Sequence, residues 1–188
     1  MSTPVRIDLP GHRAPAVGFE APFDMLDACH ERVQRMLRLL ARLQERLQTS
    51  GWDPHVASAA QDVMRYFDEA APRHHEDEER HVFPPLLSGK DEALCETVQR
   101  LRQDHRDMEA AWSQAREVLA ALRQAPPVGW TGLDPLAQAA LDGFSSLYAR
   151  HLEDEDGLVY PAAQALLNPR DLQAMSADMM RRRGLTPS

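Results

Sequence analysis

The chain has 188 residues, the length of one domain with a single sizeable core. Its net charge of −8 and pI of about 5.4 leave no basic face for phosphate contact, which argues against non-specific nucleic-acid binding. No apolar run approaches a membrane span, and the two cysteines, Cys29 and Cys95, form neither a disulfide framework nor a C-x-x-C pair.

Residues 1–22 carry four of the prolines and little periodicity, and read as an extended arm. A bundle domain then spans 23–167. Leu26, His30, Val33, Leu37 and Leu40 step by four and three, which predicts a first helix over about 23–48 ending near Ser50-Gly51. Asp53-Pro54 supplies an N-cap followed by proline at the first helical position. Val56, Ala60, Val63, Phe67, Ala70 and His74 continue a second seam toward Phe83, with Pro72 expected to kink it. Leu94, Val98, Leu101, His105, Met108, Trp112, Ala115, Leu119 and Leu122 predict a third helix, stopped by Pro126-Pro127. Asp134-Pro135 opens a fourth, through Leu136, Ala140, Phe144, Leu147 and His151. Asn168-Pro169 opens a short C-terminal helix within 168–188, where the cations of Arg181, Arg182 and Arg183 before Gly184 read as an ordinary helix ending that needs no ligand. No segment alternates like a strand. The expected fold is all-α: an antiparallel up-down-up-down four-helix bundle with an extended N-terminal arm and a short C-terminal helix.

Four histidines, His30, His74, His105 and His151, fall on these seams, one per long helix. Burying several imidazoles costs desolvation unless each finds a partner, and a shared metal would serve all four. Axial height supports a common level. His30 lies 18 residues before the end of its helix, His74 lies 20 after Pro54, His105 about 19 before residue 124, and His151 16 after Pro135. At about 1.5 Å per residue these heights agree within one turn of an antiparallel bundle. The segments HHEDEERHVFP (74–84) and HLEDEDGLVYP (151–161) superpose without a gap: His on His, Glu78 on Glu155 four residues later, then an aromatic and Pro. A carboxylate one turn beyond a seam His faces the same way and can bridge two ions. Glu109, four past His105, is a candidate seventh ligand, whereas Gln34 follows His30. The other acids (Glu76, Asp77, Glu79, Glu153, Asp154, Asp156) read as a solvated face. His75 is expected to point about 100° off the seam. His81, an E-x-x-H partner of Glu78, reads as a residue at the mouth of the site. Trp112 reads as core or as a shield against water, and Cys29 as packing.

These residues resemble the hemerythrin-like (HHE cation-binding) domain: an early helical His, H-x3-E with a downstream aromatic-Pro, a third-helix His and a second H-x3-E. The likeness covers roughly residues 23 to 167. It implies a four-helix bundle with a non-heme di-iron centre bridged by two carboxylates and an oxo or hydroxo group. His30 and His74 would bind one iron, His105 and His151 the other, with Glu78 and Glu155 bridging. The oxygen-carrying members have a second His one turn after the third-helix His, where this chain has Glu109. Their last carboxylate is an Asp at a slightly longer spacing, where this chain has Glu155. A carboxylate in place of an imidazole adds negative charge and favours the ferric state. The expected function is therefore redox or gas sensing, or detoxification, with dioxygen, peroxide or nitric oxide as the ligand, rather than reversible oxygen carriage. Iron sensing or buffering without turnover is the alternative, and a metal-free structural bundle a third class. Whether the chain is an enzyme is left open. The expected setting is the cytoplasm, since the first residues lack an apolar signal core, with no nucleic acid or membrane as partner and a protein partner left open.

Overall fold

Short capping motifs set where the helices begin. In the computed structural model, which describes residues 18–187, the Asp53 carboxylate accepts from the backbone N–H groups of His55 and Val56 at 2.8 and 3.1 Å, and Pro54 opens the helix behind it. Asp134 caps the Ala137 N–H at 2.8 Å before Pro135. Asn168 and Asp171 cap each other reciprocally before Pro169. The elements are α1 (Pro22–Ser50), α2 (Pro54–Asp77), a π turn at Glu78–Val82, α3 (Phe83–Leu87), α4 (Glu92–Leu122), α5 (Pro135–Ser146), α6 (Tyr148–Asp154), a second π turn at Glu155–Val159, α7 (Tyr160–Leu166) and α8 (Pro169–Arg182). Among the described residues every regular element is helical. The expected N-terminal arm lies outside them up to residue 17. Gly51 ends α1 at φ +78°, a conformation that favours glycine.

Three local expectations are corrected. The fourth helix is broken at Leu147, because the Ser145 and Ser146 hydroxyls bond back to the carbonyls of Leu141 and Gly143 (2.9 and 2.8 Å) and compete with the helical ladder. Its buried seam starts at Leu141, while Leu136 is 83% exposed. On α2 the core position is Ala71 rather than Ala70, one residue round the helix.

The apolar interior falls into two clusters. One gathers Val33, Leu40, Val63, Phe67, Met108, Leu119 and Phe144, among others. The second gathers Phe23, Leu26, Val82, Phe83, Leu101, Val159, Tyr160 and Met175. Along α1 and α4 the second cluster comes first and the other follows; along α2–α3 and α5–α7 the order is reversed. Between the clusters, on all four rods, lie the buried polar residues His30, His74, Glu78, His105, His151 and Glu155. A polar slab inside an apolar core is expensive unless every group is satisfied.

α8 packs outside this slab and uses the arginines that the sequence reading left without a ligand. Arg182 and Arg183 both bond the carboxylate of Asp77, Arg183 at 2.6 Å, and Asp77 is fully buried. Arg182 also bonds Asp178 at 2.8 Å, and Asp178 reaches His81 at 2.9 Å. The cations serve as a clamp on the segment that carries Glu78, not simply as a helix ending.

Candidate metal centre

Each half of the site is an H-x3-E pair running from the end of an α-helix into a π turn. The Phe83 N–H donates to the Glu78 carbonyl, and the Tyr160 N–H to that of Glu155, five residues back in both cases. In an unbroken α-helix residues five apart diverge by about 140°. The extra residue in the turn keeps the glutamate and the following aromatic on the same inner side. Phe83 thus stacks on His105 (centroids 5.6 Å, 22° between planes), and Tyr160 stacks on His30 (5.1 Å, 18°). The aromatic-Pro ending common to the two repeats therefore packs against the imidazoles of the other two helices.

The four seam histidines converge through Nε2. His30 Nε2 lies 3.0 Å from His74 Nε2. Glu78 presents Oε1 to His74 at 3.3 Å and to His30 at 3.9 Å, and Oε2 to His105 at 3.4 Å. Glu155 presents Oε2 to His30 at 3.2 Å, and Oε1 to His151 at 3.2 Å and His105 at 3.9 Å. Each carboxylate thus turns one oxygen to each histidine pair. His30, His74, Glu78 and Glu155 bring one donor atom apiece within 4.8 Å of one another, and His75, His105 and His151 form a second such group.

The outer nitrogens are held by acids that the sequence reading treated as solvated or passed over. His30 Nδ1 meets Asp156 at 2.7 Å, His105 Nδ1 meets Glu79 at 3.1 Å, and His151 Nδ1 meets Asp104 at 3.4 Å. Asp104 is four residues before Met108 on the third seam, but nothing in its own spacing marks it; the H-x3-E-E and E-D runs do carry Glu79 and Asp156. His75, expected to point away, is half-buried and lies parallel to His105, with centroids 4.0 Å apart and 9° between planes. Helix α2 faces both α1 and α4, so its interior stripe is wide enough for two adjacent residues. Glu109 is exposed and lies on the wall of a neighbouring cavity, outside both groups. His81 reaches Asp178 of α8 rather than the centre.

The electrostatics are those of a cation cage. Burial alone would raise the Glu78 carboxyl, yet the charges and contacts of His74, His105 and His30 hold it well below the usual 4.5. Burial would lower His30, but Asp156, Glu155 and Glu78 push it up to about 12. Against the same burial, the neighbouring carboxylates also raise His105 and His151. For His74, burial wins and lowers it. Tyr160 donates its hydroxyl to Glu78 Oε1, and burial with the adjacent carboxylates holds its pKa well above the usual 10.

Glu78 Oε2, both Glu155 oxygens and the Nε2 atoms of His105 and His151 are buried without a hydrogen-bond partner among the described residues. So many inward lone pairs without donors are costly in a dry interior. Two donors held by one ion at right angles, each about 2.1 Å away, lie about 3.0 Å apart, close to the spacings seen here. The residues fit a metal.

A protein of Haemophilus influenzae, described as an uncharacterized protein, is 28% identical over 166 residues, which cover 86% of this chain and 90% of that one. The family model of the hemerythrin HHE cation-binding domain matches residues 21–163. That span runs from before His30 to beyond Glu155 and contains both H-x3-E pairs and all four seam histidines, so the chain belongs to the hemerythrin HHE cation-binding domain family.

Proposed function

We propose that this cation-binding domain holds a pair of iron ions and meets dioxygen, peroxide or nitric oxide in redox or gas sensing or in detoxification. His30 and His74 would hold one ion, and His105 and His151 the other, with Glu78 and Glu155 between them. The observation that carries the proposal is the split of each carboxylate, one oxygen toward each histidine pair. Imidazole and carboxylate donors without thiolate suit iron or manganese. The reversed order of the two apolar clusters along successive rods supports an antiparallel up-down-up-down arrangement.

Iron, when bound, supplies one-electron redox chemistry and positions open to small ligands. The chain supplies the rest. Asp156, Glu79 and Asp104 accept from the outer nitrogens, fix the tautomers and make the imidazoles stronger donors. With the two central carboxylates they surround the cations with negative charge, which favours the higher oxidation state. That bias supports reaction with oxidants over repeated loading and release. Tyr160 holds a proton at Glu78 Oε1 and closes the His30 side. Phe83 offers no such group on the His105 side, which borders the cavity and gives a small ligand its way in. Glu109 stands on that entry wall and adds negative charge there.

The test is anaerobic loading with ferrous iron followed by limiting dioxygen or peroxide. The expected result is oxidation of both ions with a near-ultraviolet band that returns to baseline only on adding a reductant. Reversible binding and release of dioxygen over many cycles, or ferrous iron that stays unoxidised, contradicts the proposal.

A further inference from the structure

Beside the metal centre, between α2, α4 and α5, opens a cavity of about 530 Å³. This volume falls within the range of organic-ligand sites, about 300–1,000 Å³. It far exceeds what a diatomic needs, since a water molecule occupies only about 30 Å³. Phe67, Met108, Trp112 and Phe144 form its apolar wall. The three rings pack with centroids 4.9 to 5.2 Å apart and planes at 45° to 88°, so the wall offers both faces and edges to a guest ring. Its charged rim is already engaged: Arg80 pairs with Glu76 at 2.7 Å, and Arg106 bonds Gln103. Glu79 is engaged by His105, and Glu109 adds an exposed negative charge. With the three carboxylates of Glu76, Glu79 and Glu109 against the two guanidinium groups of Arg80 and Arg106, the rim is negative on balance and disfavours an anionic guest. At the inner end His75 lies flat on His105, both of them lining the cavity. The ion pairs that bind the four seam histidines to carboxylates leave His75 out.

We propose that this cavity binds a small uncharged aromatic molecule bearing one hydroxyl group, a phenol in class, with its ring among Phe67, Trp112 and Phe144 and its hydroxyl against His75. The apolar wall supplies affinity, and His75 supplies orientation as the hydrogen-bonding group at the inner end. The proposal rests on the metal reading only for what the bound molecule meets beyond His105; the pocket itself is built of side chains.

The experiment titrates the full chain, metal-free and iron-loaded, with phenol and with toluene, following the Met108 methyl resonance. Phenol shifts it saturably in both forms and binds at least about threefold more tightly than toluene, as one hydrogen bond predicts. His75→Phe keeps a flat ring over His105 and removes the hydrogen-bonding group. It weakens phenol about three- to tenfold and leaves toluene unchanged. Should that variant fail to fold, the phenol-over-toluene preference of the parent chain decides. Absence of saturable binding overturns the proposal, whether the cavity closes or another part of the chain fills it. So does toluene binding as tightly as phenol, or equal weakening of both by His75→Phe. Phenol binding without iron uptake leaves the site standing and sinks the metal reading; iron uptake without phenol binding does the reverse.

Discussion

Glu78 and Glu155 sit at the middle of the polar slab, each turned toward two histidine pairs, so in the proposed centre the loss of either would weaken both iron positions. Glu78→Gln keeps the shape but removes the charge and one lone-pair donor. Metal analysis after anaerobic loading is expected to fall from two irons per chain to one or fewer; two tightly held irons in that variant would exclude the bridge. Asp156 acts one step further out, through His30 Nδ1 at 2.7 Å. Asp156→Asn is expected to leave the fold intact and lower iron affinity about 10- to 100-fold in a competition titration, and an unchanged affinity would show that His30 needs no such support. The inward placement of the seam histidines and the two glutamates was legible because a side chain facing the core obeys the helix period. Their supporting acids were not, because Asp104 and Asp156 belong to faces where acidic residues are ordinarily solvated. His75 was misjudged for a related reason: a 100° step off the seam still points inward when a helix has neighbours on two sides.

At the scale of elements, helix starts were the most legible feature, since Asp53-Pro54, Asp134-Pro135 and Asn168-Pro169 each fix a cap chemically. Interruptions were not. Both π turns fall inside strongly helical sequence, and the break at Leu147 depends on serine hydroxyls choosing backbone acceptors. The role of α8 was hidden because its arginines find their partner, Asp77, 105 and 106 residues away. Removing one member of such a buried ion cluster strands the others, so Asp77→Asn should cost about 3 kcal/mol. A drop in melting temperature of about 6 to 12 °C would register it. A change under 2 °C would mean that the clamp contributes nothing. The clamp also carries a pH dependence. Burial would raise Asp178, but His81 from the π turn and Arg182, with Arg181 nearby at 3.9 Å, hold it down at about 2. A carboxyl depressed in the folded state stabilises fully above its unfolded value of 3.8 and loses that contribution as pH falls toward 2. The stability gap between the parent chain and Asp178→Asn should therefore shrink as pH falls from about 4 toward 2. A gap that widens over that range would contradict the assignment.

On the scale of the whole molecule, the bundle is two apolar cores joined through a charged layer, and no described helix is long and apolar enough to cross a membrane. Composition and periodicity reveal the cores and the inward histidines and glutamates of the layer; its outer partners emerge only when residues more than a hundred positions apart, such as His30 and Asp156, are brought together. A layer of facing carboxylates and imidazoles gains stability from any cation that binds the folded chain and not the unfolded one. Iron should raise the melting temperature in proportion to the logarithm of its free concentration, and a chelator should reverse the gain. Anomalous X-ray diffraction at the iron edge, from crystals of the iron-loaded chain, tests the centre most directly. Two peaks are expected between Glu78 and Glu155, one beside His30 and His74 and one beside His105 and His151. A single peak, a peak elsewhere or none would contradict the account.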